Sequence, residues 1–438
     1  MRLASTNGRA PIVGLREAVR QGLAPDGGLY MPVDWPRIDP AELDGWRGCA
    51  FSDLAARLSA RIFEHDFDPG VASRLARAAL DFPVLVRRLR EGLILLELFH
   101  GPTLAFKDIG ARFLGRLFGL LHEERGETAT VLVATSGDTG SAVARGFAGV
   151  RGTRVVLLYP AGRVSAFQES QMATIGGNVE AVRVDGSFDD CQRLVKGALA
   201  DPELRPLRLT SANSINVGRL IPQVFSYCWG ALTVVPPGGA PPVFSVPSGN
   251  LGNLTAGVLA SRLGLSVAGF TAATNENDVL PEFLSSGAYR PRQAVATVSN
   301  AMDVGDPSNF VRLAALFGGS VARMRAFIRG ERVSEAETRR TIRRTFDEDG
   351  VVLDPHTAVA VAAARRGPPA AGGGPTIALA TAHPAKFADV IAEELGFEPE
   401  LPEAERGWRE KPLLARDLGG ASPAAFRKLL EEISLRSW

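Results

Sequence analysis

Short apolar runs alternate with amphipathic helical segments along most of this chain, and this alternation limits the folds that it can adopt. Seven runs have the length and apolar content of buried strands, and they lie at 93–98, 131–135, 155–160, 179–185, 243–247, 267–274 and 376–381. Strands that alternate with helices need crossover connections, which make neighbouring strands parallel and place helices on both faces of the sheet. The sequence therefore predicts an α/β fold of doubly wound parallel sheets.

The chain divides into three predicted segments. Residues 1–90 contain helical patterns after one turn-rich stretch, so we expect an N-terminal helical cap there. The stretch VVPPGGAPP at 234–242 is typical of a join between two lobes. It separates a first α/β lobe at 91–233 from a second at 234–438. A length of 438 residues agrees with two or three domains.

Charge and cysteine content argue against several classes of protein. The 49 basic residues are balanced by 48 acidic ones, so there is no basic excess to neutralise a nucleic-acid backbone. The chain has no apolar run of transmembrane length, and its N-terminus lacks the apolar core of a signal peptide. Cys49, Cys191 and Cys228 are too widely spaced for a zinc site or a disulfide framework. We expect a cytoplasmic enzyme that binds neither nucleic acid, membrane nor metal.

Two of the predicted strands run into loops of small residues that open a helix. These loops are SGDTGS at 136–141 and SGNLGN at 248–253. Glycine lets a ligand approach the backbone, and the N–H groups of the following helix favour an anion. Neither loop matches the nucleotide or dinucleotide fingerprints, so two small anionic groups fit better than ATP or NAD. The alternative, that these residues only cap helices and form turns, stays open.

Lys107 is conspicuous because only five of the 49 basic residues are lysines. It lies in the apolar stretch GPTLAFKDIG, at the predicted start of a helix. Burial and the positive end of a helix both disfavour the ammonium form, which would make the amine a usable nucleophile or base. A lysine that reaches the surface and pairs with Asp108 is equally compatible with the spacing.

Six longer motifs, in this order, resemble the threonine synthase family. They are HGPTLAFKDIGARFLG, VLVATSGDTGSAVA, TSANSINVGRLIPQ, VPSGNLGN, NAMDVGDPSNF and ATAHPAKF, and APDGGLY near the N-terminus belongs to the same pattern. The similarity runs from about Thr6 to about Glu394 and is to the longer form of the family, with an extra N-terminal segment. The resemblance implies a pyridoxal-phosphate enzyme of the tryptophan-synthase-β-like fold (fold type II), with the cofactor between two α/β lobes. It also implies a lyase that converts O-phospho-L-homoserine and water to L-threonine and phosphate.

The resemblance further implies roles for individual residues. Lys107 takes the place of the catalytic lysine that forms a Schiff base with the cofactor, and Thr381 matches the hydroxyl at the pyridine nitrogen. Asp138 stands where many relatives outside this subgroup carry an Asn that faces the ring hydroxyl. The residues that match the cradle of the cofactor phosphate are Gly249, Asn250, Leu251, Gly252 and Asn253, with Leu251 in place of a common Phe. The implied substrate contacts are Ser136, Thr139, Ser141, Asn213, Ser214 and Asn216, with Arg219 close by in sequence.

Two alternatives remain open at this point. One is a pyridoxal-phosphate-dependent phospho-lyase or dehydratase that acts on a phosphorylated or hydroxy amino acid and releases a keto acid with ammonia. The other is a non-catalytic protein that senses a phosphorylated metabolite. Product identity separates the first from a threonine synthase, and the absorbance of a bound cofactor separates the second. The sequence is compatible with a monomer or a homodimer.

Overall fold

The computed structural model describes residues 1–123, 126–367 and 371–435, and in it the chain forms two compact units. The first unit comprises Met1, Met31–Phe106 and Leu220–Leu401, and the second comprises Arg2–Tyr30, Lys107–Arg219 and the chain from Pro402 onward. Each unit is therefore assembled from segments that are distant in sequence. Residues 368–370 and 436–438 of the predicted third segment lie outside the described residues.

The strands and helices are numbered in chain order. The strands are β1 (Arg2–Ser5), β2 (Val13–Gly14), β3 (Tyr30–Pro32), β4 (Leu85–Arg88), β5 (Leu93–Glu97), β6 (Ala129–Ala134), β7 (Thr153–Pro160), β8 (Val179–Asp185), β9 (Leu209–Ser211), β10 (Val243–Pro247), β11 (Gly269–Thr274), β12 (Ile328–Arg332), β13 (Thr376–Ala380) and β14 (Arg416–Gly420). The α-helices are α1 (Leu15–Gln21), α2 (Pro40–Asp44), α3 (Phe51–Ile62), α4 (Pro69–Ala79), α5 (Lys107–Glu123), α6 (Asp138–Phe147), α7 (Ala166–Ala173), α8 (Phe188–Ala200), α9 (Val217–Leu220), α10 (Val224–Val234), α11 (Gly252–Leu263), α12 (Val279–Ser286), α13 (Phe310–Leu316), α14 (Val321–Arg325), α15 (Glu335–Asp349), α16 (Pro355–Arg366), α17 (Ala388–Leu395) and α18 (Pro423–Ser434).

The first unit is built around a sheet with the strand order β12-β11-β10-β13-β5-β4. Its neighbouring strands are parallel except for the edge pair of β4 and β5. Helices cover both faces at β10, where the adjacent side chains of Phe244 and Ser245 point to opposite sides of the sheet. The Ser245 hydroxyl donates to the Ala360 carbonyl of α16 at 2.7 Å, and Phe244 packs on Tyr227 of α10. The unit is doubly wound, as predicted.

The second unit contains a parallel sheet with the order β14-β8-β7-β6-β9. One face of this sheet, including Leu132, Val156 and Val182, is buried with Leu194 of α8 and Leu430 of α18. Helices α5 and α6 of the same unit pack on one another, and the rings of Phe118 and Phe147 lie 5.7 Å apart. In addition, β1 and β2 form a short antiparallel pair.

All seven predicted strands are present, within two residues of their expected ends, and the predicted α/β class is confirmed. The position of β5 differs from the expectation. The predicted first lobe at 91–233 places β5 with the strands at 129–185, whereas in the structure β5 pairs in parallel with β13 in the first unit. A short apolar run carries no information about its neighbour in the sheet, since tertiary packing selects it. The short strands within residues 1–90 were also not predicted, because two to four residues show no periodicity.

Within the part of the chain that the structure describes, no helix combines the length and apolar character that a membrane crossing needs.

Candidate active site

Lys107 is the first residue of α5, in the second unit. Its side chain is 16% exposed, and its Nζ lies 3.8 Å from Oδ2 of Asp138, whose side chain is 4% exposed. The neighbouring Asp108 is fully buried, so a surface pair between Lys107 and Asp108 does not describe this arrangement. A largely buried amine beside a carboxylate can bond covalently to a carbonyl compound and exchange protons with it.

A tight turn connects β6 to α6 and carries Asp138. Gly137 has φ of 134°, which favours glycine, and a Cβ at this position would lie 2.5 Å from the side chain of Gln168. The Thr135 hydroxyl oxygen accepts hydrogen bonds from the backbone N–H groups of Gly137 at 3.0 Å and Gly140 at 2.8 Å. The Thr135 side chain therefore stabilises the turn through these two hydrogen bonds, and the N-terminus of α6 is fixed at the end of β6.

Gln168 positions Asp138, and sequence reasoning missed it. Its Nε2 donates to Asp138 Oδ1 at 3.0 Å, while its Oε1 accepts the Ser165 N–H at the start of α7. Because Gln168 is buried, its amide holds the carboxylate beside Lys107 in one orientation. The spacing of Ser165 and Gln168 is a capping-box signal that predicts a helix start, but it gives no sign of the contact with Asp138.

The three predicted substrate residues of this loop have different surroundings. Ser136 and Thr139 are partly exposed. Ser141 is fully buried, and its hydroxyl donates to the Gly137 carbonyl at 3.1 Å. The geometry leaves two hydroxyls open to a ligand and uses the third within the turn. As substrate contacts, all three stay predictions.

A second predicted substrate segment follows β9, which is the parallel neighbour of β6. The two segments therefore share one edge of the sheet, where ligands bind in such folds. Asn213 Nδ2 donates to the Ala134 carbonyl at the end of β6 (3.1 Å), and Ser214 is partly exposed. Asn216 is fully buried, and its Nδ2 donates to the Val19 carbonyl of α1 at 2.9 Å. Asn216 thus anchors this segment, whereas Asn213 and Ser214 lie nearer to solvent.

Arg219 lies beneath this second segment. It is 5% exposed, and its Nη1 donates to the Ala212 carbonyl at 2.8 Å. Burial lowers the pKa of Arg219 to about 10, against the opposing effect of the Asp108 charge. A Cβ on Gly110 would lie 2.8 Å from the Arg219 carbonyl oxygen. The first turn of α5 therefore packs directly on this backbone, which ties Lys107 to the segment.

The loop after β10, in the first unit, has the geometry of an anion cradle. Leu251 has φ of 58°, a left-handed conformation that costs a non-glycine residue about 1 kcal/mol. Gly249 lies against the backbone of Met302, since a Cβ would come within 2.7 Å of the Met302 Cα. Asn250 and Gly252 are partly exposed, and α11 begins at Gly252. The first N–H groups of this helix have no partner within the helix.

Asn253 tests whether the loop fits a phosphate group. Its Oδ1 and its carbonyl accept from the Tyr227 hydroxyl, at 2.8 and 2.9 Å. Its Nδ2 is buried and has no hydrogen-bond partner among the residues that the structure describes. A buried donor without a partner is costly, and an anion at a helix N-terminus supplies one. The residues present therefore fit the phosphate of pyridoxal phosphate.

Thr381 follows β13, the parallel neighbour of β10, so it lies at the same sheet edge as the loop at 248–253, which we call the phosphate loop after its predicted role. It is 6% exposed, and its N–H donates to the Thr357 hydroxyl at 3.3 Å. Its carbonyl accepts the N–H of Phe106, the residue before Lys107, at 2.9 Å. Backbone contacts therefore fix Thr381 at the point where the chain leads towards the lysine.

His356 holds the backbone against which Gly249 packs, and it was also missed as a site residue. Its Nε2 accepts the Ala301 N–H at 3.1 Å, so the proton lies on Nδ1, which donates to Asp354 Oδ1 at 2.9 Å. Asp354 is itself the N-cap of α16. This chain of hydrogen bonds fixes residues 300–302 and hence one wall of the phosphate loop.

Three family models match the chain in succession. "Threonine synthase N terminus" matches residues 2–79, "Pyridoxal-phosphate dependent enzyme" matches 80–381, and "Threonine synthase, C-terminal" matches 357–429. The second model alone covers more than half of the chain.

Similar proteins match over nearly the full length. The threonine synthase of Serratia marcescens is 42% identical over 419 residues, which are 95% of this chain and 95% of that protein. The crystal structure of threonine synthase from Brucella melitensis with bound pyridoxal phosphate has a TM-score of 0.93 at 36% identity and covers 100% of both chains. Threonine synthase from Escherichia coli has a TM-score of 0.91 at 39% identity, covering 99% of this chain and 100% of the other. The similarity therefore includes the N-terminal segment.

Proposed function

Since the chain belongs to the threonine synthases, a family of pyridoxal-phosphate-dependent enzymes, we propose that it converts O-phospho-L-homoserine and water to L-threonine and phosphate. The observation that carries this proposal is the placement of Lys107 Nζ 3.8 Å from Asp138 at the start of α5. An amine in that position suits both attachment of the cofactor and proton transfer.

The residues proposed to hold the cofactor are those that the family resemblance implies. Lys107 would bind it covalently through Nζ, and Gly249, Asn250, Leu251, Gly252 and Asn253 would hold its phosphate. Asp138 and Thr381 would contact its ring. When bound, pyridoxal phosphate withdraws electrons from the substrate and stabilises negative charge next to the amino group. The uncommitted Nδ2 of Asn253 supports the assignment of the phosphate loop.

Lys107 is proposed to move the protons. Its Nζ removes the proton from the substrate α-carbon, and the same amine remains within reach of the β-carbon. A second proton leaves the β-carbon as phosphate departs from the γ-carbon, and a proton is then added at the γ-carbon. The hydroxyl of water adds at the β-carbon, and a proton returns to the α-carbon. One base in reach serves successive steps, so no second base is needed. The Asp138 carboxylate stabilises the amine in its protonated state, and Gln168 keeps that carboxylate in place.

The substrate is proposed to lie at the shared edge of β6 and β9. The partly exposed side chains there, Ser136, Thr139, Asn213 and Ser214, supply neutral donors for its carboxylate and phosphate. The N-terminus of α6 adds a favourable field for an anion. Ser141 and Asn216 would act on the substrate through the segments that they hold.

Thr381 is proposed to restrain side reactions. A neutral hydroxyl at the pyridine nitrogen does not enforce its protonation, whereas a carboxylate would. The weaker electron withdrawal restrains side reactions such as transamination.

We further propose that the enzyme works in the cytoplasm on this small-molecule substrate. Cys49, Cys191 and Cys228 are thiols in the structure, and burial raises the pKa of Cys191 and Cys228 to about 12, which keeps both unreactive.

The test is an assay of the purified protein, reconstituted with pyridoxal phosphate, on O-phospho-L-homoserine. We expect threonine and phosphate in equal amounts. Phosphate released with a keto acid and ammonia would reassign the protein as a phospho-lyase. No turnover together with no visible absorbance of a bound cofactor would refute the proposal altogether.

A further inference from the structure

A fully buried arginine lies behind the phosphate loop. Arg312, in α13, has no solvent exposure, and neither does its neighbour Asn309. We propose that Arg312 is a positioning residue for the cofactor phosphate, acting on the phosphate loop through Asn309. This inference rests on the proposed function, because it concerns the same phosphate group.

Two consecutive residues hold Asn250 of the loop from one side. Arg312 Nη1 donates to Asn309 Oδ1 at 2.9 Å, and Asn309 Nδ2 donates to the Asn250 carbonyl at 3.0 Å. The Ser308 N–H donates to Asn250 Oδ1 at 2.5 Å. Both oxygens of Asn250 are therefore engaged, which fixes the peptide that precedes the left-handed Leu251.

The hydrogen bonds that lead from Arg312 through Asn309 to Asn250, which we call the relay, carry an electrostatic effect in addition to fixing the loop conformation. A guanidinium that donates to an amide oxygen polarises that amide and strengthens the hydrogen bond made by its NH₂ group. Burial lowers the pKa of Arg312 to about 9, so the group is still positive at neutral pH. A buried positive charge is costly, and a phosphate dianion on the loop it supports lowers that cost. Arg312 and the phosphate therefore stabilise one another across Asn309.

A purely structural relay is the competing explanation, and the phosphate distinguishes the two. Pyridoxal has the ring and the aldehyde of pyridoxal phosphate but no phosphate. If the relay acts on the phosphate, its loss weakens binding of pyridoxal phosphate and leaves binding of pyridoxal unchanged. If it only maintains the fold, both ligands lose affinity together.

Asn309→Asp is the decisive variant. It keeps the size of the side chain, gives Arg312 a carboxylate partner and removes the Nδ2 donor to the Asn250 carbonyl. The new carboxylate pairs with Arg312, so the variant leaves no uncompensated buried charge and should fold. It therefore keeps the proposal testable if Arg312→Met does not fold. Arg262→Met is the control. Arg262 is exposed in the last turn of α11 and donates to the Leu316 carbonyl, so its replacement removes one positive charge without changing the contacts of Asn309 or Asn250.

The full-length protein, freed of cofactor, is titrated with pyridoxal phosphate and with pyridoxal. For Asn309→Asp and Arg312→Met we expect the dissociation constant of pyridoxal phosphate to rise about tenfold or more, as for a lost hydrogen bond to a charged group. The constant for pyridoxal should stay within about twofold of wild type. The phosphorus NMR signal of the bound cofactor should shift in Asn309→Asp. Arg262→Met should match wild type.

Equal losses for the two ligands, or no loss for either, would overturn the inference while leaving the proposed function intact. A wild-type protein that fails to bind pyridoxal phosphate would overturn the proposed function and this inference with it.

Discussion

Gly249→Ala tests whether the loop after β10 holds the cofactor phosphate. The added Cβ would lie 2.7 Å from the Met302 Cα and 3.2 Å from the Ala301 carbonyl oxygen. Both are backbone atoms, and His356 holds that backbone through the Ala301 N–H, so no flexible side chain can move aside. Reaching an ordinary contact of 3.4 Å requires a shift of about 0.7 Å. Overpacking of this kind costs about 1–3 kcal/mol.

The cost should appear mainly as lost cofactor affinity, because the loop can move more easily than the residues behind it. A cost of about 1–3 kcal/mol corresponds to a five- to roughly 150-fold rise in the dissociation constant. The assay is a titration of cofactor-free protein with pyridoxal phosphate, combined with a thermal melt of the same sample.

The matched control is Gly197→Ala. Gly197 is exposed in the middle of α8, and no described atom outside its own helix backbone and its chain neighbours lies within 4 Å of its Cβ position. This variant should gain about 1 kcal/mol of helix stability and bind the cofactor as wild type does. If Gly249→Ala also binds pyridoxal phosphate as wild type does, the loop is not the phosphate cradle.

Three further outcomes are expected. Lys107→Ala should abolish phosphate release from O-phospho-L-homoserine, since the covalent attachment point and the base are both lost; near-normal turnover would refute the role of this residue. Gln168→Met should lower kcat about tenfold, because the Asp138 carboxylate loses its 3.0 Å hydrogen bond, and should also lower the melting temperature, because the Ser165 N–H loses its acceptor; an unchanged kcat would remove Gln168 from the site. Burial, reinforced by His100, lowers the pKa of His383 from 6.5 to about 4, so protonation favours the unfolded chain. The contribution of His383 to the free energy of unfolding should be fully present above pH 6.5 and should fall by about 3 kcal/mol as the pH drops towards 4. In urea unfolding at a series of pH values, His383→Phe should show a smaller fall than wild type. An identical pH dependence would contradict the assignment.

The features predicted from sequence are those that local chemistry determines. Apolar runs bounded by turn residues identified the central strands, and small residues after two of them located two loops that open a helix. Lys107 was singled out by its apolar surroundings at the start of a helix, although its spacing left a surface pair with Asp108 open. The structure resolves that alternative, because Asp108 is buried and the Lys107 amine lies near Asp138.

The features that escaped prediction depend on contacts between distant parts of the chain. Gln168 reaches Asp138 across 30 positions, and Asn309 reaches Asn250 across 59. Each has an ordinary local role, as a helix-capping residue or a polar residue beside a helix, so its sequence neighbourhood shows nothing unusual. The pairing of β5 with β13 has the same origin. Only the folded backbone brings these groups together.

The central claim is that the substrate loses phosphate by elimination and then gains water at the neighbouring carbon. The direct test is to run the reaction in water enriched in oxygen-18 and to locate the label by mass spectrometry. Carbon–oxygen cleavage followed by water addition places the heavy oxygen in the threonine hydroxyl and none in the phosphate. Heavy oxygen in the phosphate, with homoserine as the amino-acid product, would show attack on phosphorus and contradict the account.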